Sequence, residues 1–251
     1  MESMSGEFAG KIAVVTGGSE GLGRDFCGAL VGGGCKVYFC AEKAPGGEQA
    51  AKELGPLATF VKADVGDSDQ ISQFAATVAS LETRIDYLIN NVAVDDRIDL
   101  DNITAEFCDW MWQINTRSYI LIAKAFVNLL RAGTGKSIVN IGTTNYMIGQ
   151  DRFSVYGATK SAILGLTRSL ARELGPEGIR CNLVSPGWIM TDKQLREYVK
   201  EQDKVDLLHE QSLKFLLTPK NVTPTVLFFL SSASAAVTGQ NIVVDGGKIF
   251  Q

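Results

Sequence analysis

The chain of 251 residues holds a single histidine, His209, and five cysteines without any C-x-x-C spacing. Protein zinc sites draw on clustered Cys and His, and a Ser-His-Asp hydrolase needs a histidine beside its nucleophile, so both classes are set aside and no metal site is expected. Cys27, Cys35, Cys40, Cys108 and Cys181 are odd in number, and three lie in or beside apolar runs. They read as buried free thiols in a reducing compartment rather than as disulfides. Basic residues are also in deficit: 24 Lys+Arg against 28 Asp+Glu give a net charge of −4, which leaves no basic face for nucleic acid or an anionic membrane. The longest apolar stretches, such as Val226–Leu230, are far too short to cross a bilayer, and residues 1–7 lack the basic start and apolar core of a secretory signal. The expectation is a soluble cytoplasmic protein whose partners are small molecules or copies of itself.

Repeats, low-complexity segments and long polar linkers are absent too, so the 45% hydrophobic content can serve one large core in one domain spanning 1–251. Short apolar runs rich in β-branched residues recur at Lys11–Thr16, Lys36–Cys40, Thr59–Lys62, Tyr87–Asn90, Ser137–Ile141, Arg180–Ser185 and Ile242–Val244. Helical patterns separate them at about Gly21–Gly32, Gly47–Leu54, Asp67–Ser80, Thr104–Ala132, Phe153–Leu174, Lys193–Leu208 and Val222–Leu230. This alternation predicts an α/β fold: a Rossmann-like, doubly wound parallel sheet of about seven strands with helices on both faces. Phe107, Met111, Ile114, Leu121, Ala125 and Leu129 make Thr104–Ala132 one long core helix, and Asp67-x-x-Gln70 reads as a capping box.

Two clusters carry chemistry. Thr16-Gly-Gly-Ser-Glu-Gly-Leu-Gly23 follows a strand and opens a helix, where Gly17, Gly21 and Gly23 let backbone N–H groups approach a pyrophosphate at the positive helix end, with Ser19 and Leu22 beside them. The spacing is not G-x-G-x-x-G, because Phe26 holds the last position. Tyr156 and Lys160 are four apart on a helix, which puts a phenol beside an ammonium; a cation there lowers the phenol pKa and makes tyrosine usable as a base. The hydroxyl-bearing segment Asn140-Ile-Gly-Thr-Thr144 lies shortly before them. Together these features point to hydride transfer.

The residues resemble the short-chain dehydrogenase/reductase family over roughly 10–247. Thr16, Gly17, Gly21 and Gly23 match its Thr-Gly-x-x-x-Gly-x-Gly signature, and Tyr156 and Lys160 its Tyr-x-x-x-Lys; Asp64-Val65, Asn90-Asn91, Asn115 and Pro186-Gly187 fall in order. The resemblance implies that Asp64 bonds the adenine with Val65 beside it, that Asn91 lines a ribose, and that Ile189 and Thr191 hold the nicotinamide carboxamide. It implies Tyr156 as acid/base, Lys160 as the group that lowers its pKa and binds ribose, Thr143 (usually serine) as anchor of the substrate oxygen, and Asn115 as support for a relay water. A buried helix asparagine can also simply satisfy backbone groups. The usual Asn-Asn-Ala-Gly becomes Asn90-Asn91-Val92-Ala93, adding volume beside the expected cofactor path. It also implies a homotetramer in which the Tyr156 helix and Thr104–Ala132 pack against a second subunit.

Glu42 lies 19 residues after Gly23, near where an acidic residue binds a ribose diol. A carboxylate about 6 Å from a 2′-phosphate costs about 3 kcal/mol at an effective dielectric near 20, so NAD is favoured over NADP. For the substrate, Val94-Asp95-Asp96-Arg97, Ile148-Gly-Gln-Asp151 and Lys193-Gln-Leu-Arg196 look like the subgroup that oxidises aldoses at C1 to lactones, with Asp95, Arg97, Gln150 and Trp188 as contacts. Loop Asp and Arg residues such as Asp95 and Arg97 are more often solvated or paired with each other, and Trp188 can equally be an apolar lid. A carbonyl or keto-sugar reductase is the alternative within enzymes, and a non-catalytic nucleotide-binding regulatory protein the alternative outside them.

Overall fold

In the computed structural model, which describes residues 6–250, seven strands form one sheet. They are β1 (Ile12–Thr16), β2 (Lys36–Ala41), β3 (Ala58–Lys62), β4 (Tyr87–Asn90), β5 (Ser137–Ile141), β6 (Arg180–Pro186) and β7 (Asn241–Val244). Their order is β3-β2-β1-β4-β5-β6-β7, and each neighbouring pair is parallel. The sheet therefore grows outward in both directions from β1 and β4, and a crevice opens beyond their carboxyl ends.

The helices are α1 (Gly21–Gly32), α2 (Ala44–Leu54), α3 (Ser68–Leu81), α4 (Ala105–Trp112), α5 (Ser118–Ala132), α6 (Asn145–Ile148), α7 (Ser154–Leu174), α8 (Asp192–Glu197), α9 (Glu201–Glu210) and α10 (Pro219–Leu230). Side chains alternate along each strand, so one apolar run feeds two cores. Ala13 and Val15 of β1 pack with Phe26 and Leu30 of α1 and with Val226 and Phe229 of α10. Ile12 and Val14 pack on the other face with Phe74 of α3, Phe126 of α5 and Leu174 of α7. Four of the five cysteines are buried in these layers and all five are free, as expected; burial pushes the thiols of Cys35, Cys40 and Cys181 up to about 12.

Five elements differ from the expectation, among them α10, which begins three residues early at Pro219. The long helix over Thr104–Ala132 is two helices joined by a π-helical turn, Gln113–Arg117, because the widened turn delivers Asn115 to the backbone of Val94. The segment Lys193–Leu208 is α8 and α9, since Asp203 accepts from the N–H of Lys200 at 2.8 Å and starts a new helix there. Helix α2 begins three residues early, with Pro45 preorganised in its first turn. The short α6 was not anticipated; Gly149 ends it with φ 63°.

Asp67 does cap α3, accepting from Asp69 N at 2.8 Å and Gln70 N at 3.3 Å. A second carboxylate went unnoticed in the sequence. Asp86 is fully buried and accepts from Ile12 N, Thr134 N and Gly135 N at 2.8–2.9 Å, tying β1 to the turn before β5. Burial pushes its pKa up, but these N–H donors outweigh it and hold the carboxyl below its usual range.

Candidate active site

Beyond the carboxyl ends of β1, β4, β5 and β6 lies a cleft of about 1910 Å³. At one end, the turn from β1 into α1 is shaped by Gly17 (φ 70°) and Gly21 (φ 57°), a left-handed backbone that glycine adopts without strain. A Cβ on Gly23 would lie 2.0 Å from the Gly17 carbonyl oxygen, so Gly23 makes the close helix–turn contact while Phe26 fills the core. Asn91 locks this turn to β4: its N–H donates to Thr16 Oγ1 at 2.9 Å, and its amide donates to Thr16 O at 3.0 Å and Gly17 O at 3.3 Å. Among the described residues no side chain caps the start of α1, so its first N–H groups remain for a ligand. This cradle fits a dinucleotide pyrophosphate.

Gly17, Ser19, Gly21, Leu22, Glu42, Asn91, Ile189 and Thr191 line the cleft, as do Val92 and Ala93. Gly23, Asp64 and Val65 are outside its wall. Asp64 Oδ1 accepts from Gly66 N at 2.8 Å, and Val65 is buried. Thr191 caps α8 through Gln194 N at 3.3 Å. Glu42 is exposed just after β2, with Lys43 adjacent; Arg24, also on the wall, is bonded to Glu53 at 3.1 Å.

At the other end, α7 presents Tyr156 and Lys160, and the Thr143 hydroxyl stands beside the Tyr156 phenol. Thr143 is itself held by the N–H of Asn145, which donates to Oγ1 at 3.2 Å. Burial, then the nearby Asp95 carboxylate, push the Tyr156 phenol well above its ordinary value, while the Thr143 hydroxyl pulls it down. The lowering expected from Lys160 is thus not what this geometry gives. Lys160 is 1% exposed, its Nζ donates to Ile141 O at 2.8 Å and Tyr119 Oη at 3.1 Å, and burial pushes it down to about 7 despite the pull of Asp95.

Asn115 spends its side chain on structure: Oδ1 accepts from Val94 N at 2.8 Å, and Nδ2 donates to Val94 O at 2.9 Å and Thr159 Oγ1 at 3.2 Å. Those bonds fix the loop that carries Asp95 and Arg97.

Asp95, Arg97, Gln150 and Trp188 all reach the cleft wall. Asp95 and Arg97 are not paired with each other. Gln194 bridges Asp95 and Trp188, donating to Asp95 Oδ2 at 2.8 Å and accepting from Trp188 Nε1 at 2.9 Å, while Lys193 Nζ stands 3.5 Å from Asp95. The Arg97 guanidinium sits among three rings, 4.8 Å from Tyr198, 5.1 Å from Phe153 and 5.8 Å from Trp188. Gln150 is exposed and accepts from Asn145 Nδ2 at 2.9 Å. Tyr119, Phe153 and Tyr198 were not singled out in the sequence, and Gln194 was quoted there only within Lys193-Gln-Leu-Arg196. Only Tyr119 carried a usable signal there, lying one helical turn after Asn115.

A family model described as enoyl-(acyl carrier protein) reductase matches residues 17–248. Among curated relatives, the "Probable galactose dehydrogenase GalD" of Rhizobium meliloti (strain 1021) is 31% identical over 93% of this chain and 93% of that one. A D-xylose 1-dehydrogenase of Caulobacter vibrioides (strain NA1000 / CB15N) is 29% identical over 95% of each chain. A 3-alpha-(or 20-beta)-hydroxysteroid dehydrogenase of Mycobacterium bovis (strain ATCC BAA-935 / AF2122/97) is 30% identical over 98% of this chain and 92% of its own. Among solved structures, a short-chain dehydrogenase/reductase titled glucose/ribitol dehydrogenase, from Brucella melitensis, superposes with a TM-score of 0.92 at 26% identity, covering 98% of this chain and 99% of that one.

Proposed function

Because this chain belongs to the short-chain dehydrogenase/reductase family, whose members here are NAD(P)-dependent dehydrogenases acting on CH–OH groups, we propose that it oxidises a small hydroxyl-rich substrate, an aldose at C1 to its lactone, with NAD preferred. The observation that carries this reading is the polar chain Trp188–Gln194–Asp95 on the cleft wall, with Asp95 close enough to act on the charge of Tyr156. Partly buried groups that already hold donors and acceptors at fixed positions favour a ligand that replaces or extends those bonds, and disfavour one made of methylenes. The galactose and xylose relatives point the same way, and the hydroxysteroid relative supplies the competing substrate class.

The cofactor, when bound, supplies the hydride acceptor. Thr143 and Tyr156, side by side on the cleft wall, form a two-hydroxyl anchor for the substrate oxygen. Tyr156, as phenolate, takes the proton of the C1 hydroxyl at Oη; Lys160 in its ammonium form supports that charge, and Asp95 opposes it. Asn115, through Val94, holds the Asp95 loop in place. Glu42 at the end of β2 disfavours a 2′-phosphate and suits a ribose diol.

The test is absorbance at 340 nm with NAD and, separately, NADP against aldoses, polyols, hydroxysteroids and simple secondary alcohols. NADH formed with one or a few aldoses, followed by lactone, supports the reading. Turnover confined to hydroxysteroids or simple alcohols overturns the substrate, and a preference for NADP overturns the role given to Glu42.

A further inference from the structure

Lys160 carries three N–H donors as an ammonium, and two are accounted for inside the protein. One goes to the Ile141 carbonyl at 2.8 Å and one to Tyr119 Oη at 3.1 Å, which leaves one for the cleft. The Tyr119 hydroxyl in turn donates to Ile141 O at 3.1 Å, closing a three-membered cluster. Its ring lies 5.0 Å from Nζ, and the whole side chain is 1% exposed. Asn115, one turn earlier, is committed to Val94 and Thr159. The only side chain bonded to Lys160 among the described residues is therefore that of Tyr119.

We propose that Tyr119 is the positioning residue of Lys160: its hydroxyl stands behind the ammonium, accepts one of its protons, and keeps the lysine charged and aimed into the cleft. This rests on the Tyr156–Lys160 reading above. The titratable groups around Lys160 are Asp95 from the loop after β4, whose charge acts on it, and Tyr119 from α5, which bonds it, with Tyr156 one turn earlier on α7 lining the same cleft; β5 contributes only the Ile141 carbonyl. A neutral acceptor stabilises the ammonium over the amine, so it counteracts the burial that pushes Lys160 down to about 7. The Tyr119 phenol stays protonated because burial, then Tyr156, push its own pKa far up.

The test compares wild type with Tyr119→Phe, which keeps the ring and removes the acceptor. In protein carrying 13C-labelled lysine, with and without NAD, the side-chain resonance of Lys160 is assigned by Lys160→Arg and titrated. The midpoint should fall by at least about half a pH unit in the variant, a threefold change in the ammonium-to-amine ratio. In turnover of whichever hydroxyl substrate the panel identifies, the acid limb of kcat should move to higher pH, because a less charged lysine supports the Tyr156 phenolate less, with KM within about twofold. Tyr119→Gln, which restores an acceptor, should bring the midpoint back toward wild type and serves if the phenylalanine variant folds poorly. An unmoved Lys160 midpoint, or a kcat lowered equally at every pH, overturns the proposal. The titration needs no substrate, so a wrong substrate class leaves it decisive, whereas full activity in a Tyr156→Phe enzyme would strike the underlying reading instead.

Discussion

Tyr156 sits where burial and Asp95 both oppose the charge its role requires, and Thr143 beside it works the other way. Oxidation should therefore climb as pH rises, since the phenolate fraction grows tenfold per unit below its pKa. Tyr156→Phe should lower kcat by about 10²–10⁴ while the NAD Kd, measured by calorimetry, stays within about threefold. A protein that only binds nucleotide would lose nothing measurable. Asp86 makes the opposite case, a carboxylate whose surroundings favour its charge. Its folded pKa lies below the unfolded value of about 3.9, so its contribution to stability is complete above that value and is lost as pH falls through the folded pKa. Asp86→Asn turns an amide NH₂ toward N–H donors at Ile12 or at Thr134 and Gly135, which should cost about 1–3 kcal/mol by urea unfolding at pH 7. The gap between variant and wild type should narrow below about pH 4. Neither environment was legible beforehand. Spacing placed Tyr156 next to Lys160, but the direction of a pKa shift depends on burial and on Asp95, which comes from a different loop.

Several elements meet only through side chains that no local pattern connects. Arg97 comes from the loop after β4, Phe153 from the start of α7, Trp188 from the turn after β6, and Tyr198 from the end of α8; one guanidinium gathers all four segments around the mouth of the cleft. Each such contact contributes about 0.5–2 kcal/mol, depending on how dry it is. Arg97→Met should leave the sheet intact and loosen this junction. Amide hydrogen exchange across residues 188–200 should quicken, and the substrate KM should rise about tenfold with the NAD Kd little changed. Residues 16–23 were readable because a turn that needs glycine at fixed backbone angles leaves its mark in consecutive residues. The break of Thr104–Ala132 at Gln113–Arg117 was not, since the apolar spacing runs on through it and the cause is a bond from Asn115 to a loop 21 residues away. Tyr119 lay on that same misjudged helix, and its value became apparent only once Lys160 was placed against it.

At the scale of the whole molecule the alternation of runs sufficed, because a strand buried on both faces has to supply two cores and a parallel neighbour has to be reached by a crossover helix. What lies outside those cores is a different matter. Trp110 and Trp112 of α4 are 38% and 48% exposed, and Ile120 near the start of α5 is 44% exposed, large apolar side chains left outside the packed inner faces of these helices. The assembly expected by family resemblance puts this helix pair and α7 against a second copy. Light scattering on the eluting protein should then give about four times the 27.0 kDa chain mass. Trp112→Glu, which sets a charge into that contact and disturbs no buried layer, should lower the mass to half or less while leaving the far-ultraviolet circular dichroism unchanged. A wild-type mass of one chain would mean that α4 and α5 face water, and an unchanged mass in the variant would move the interface to another face.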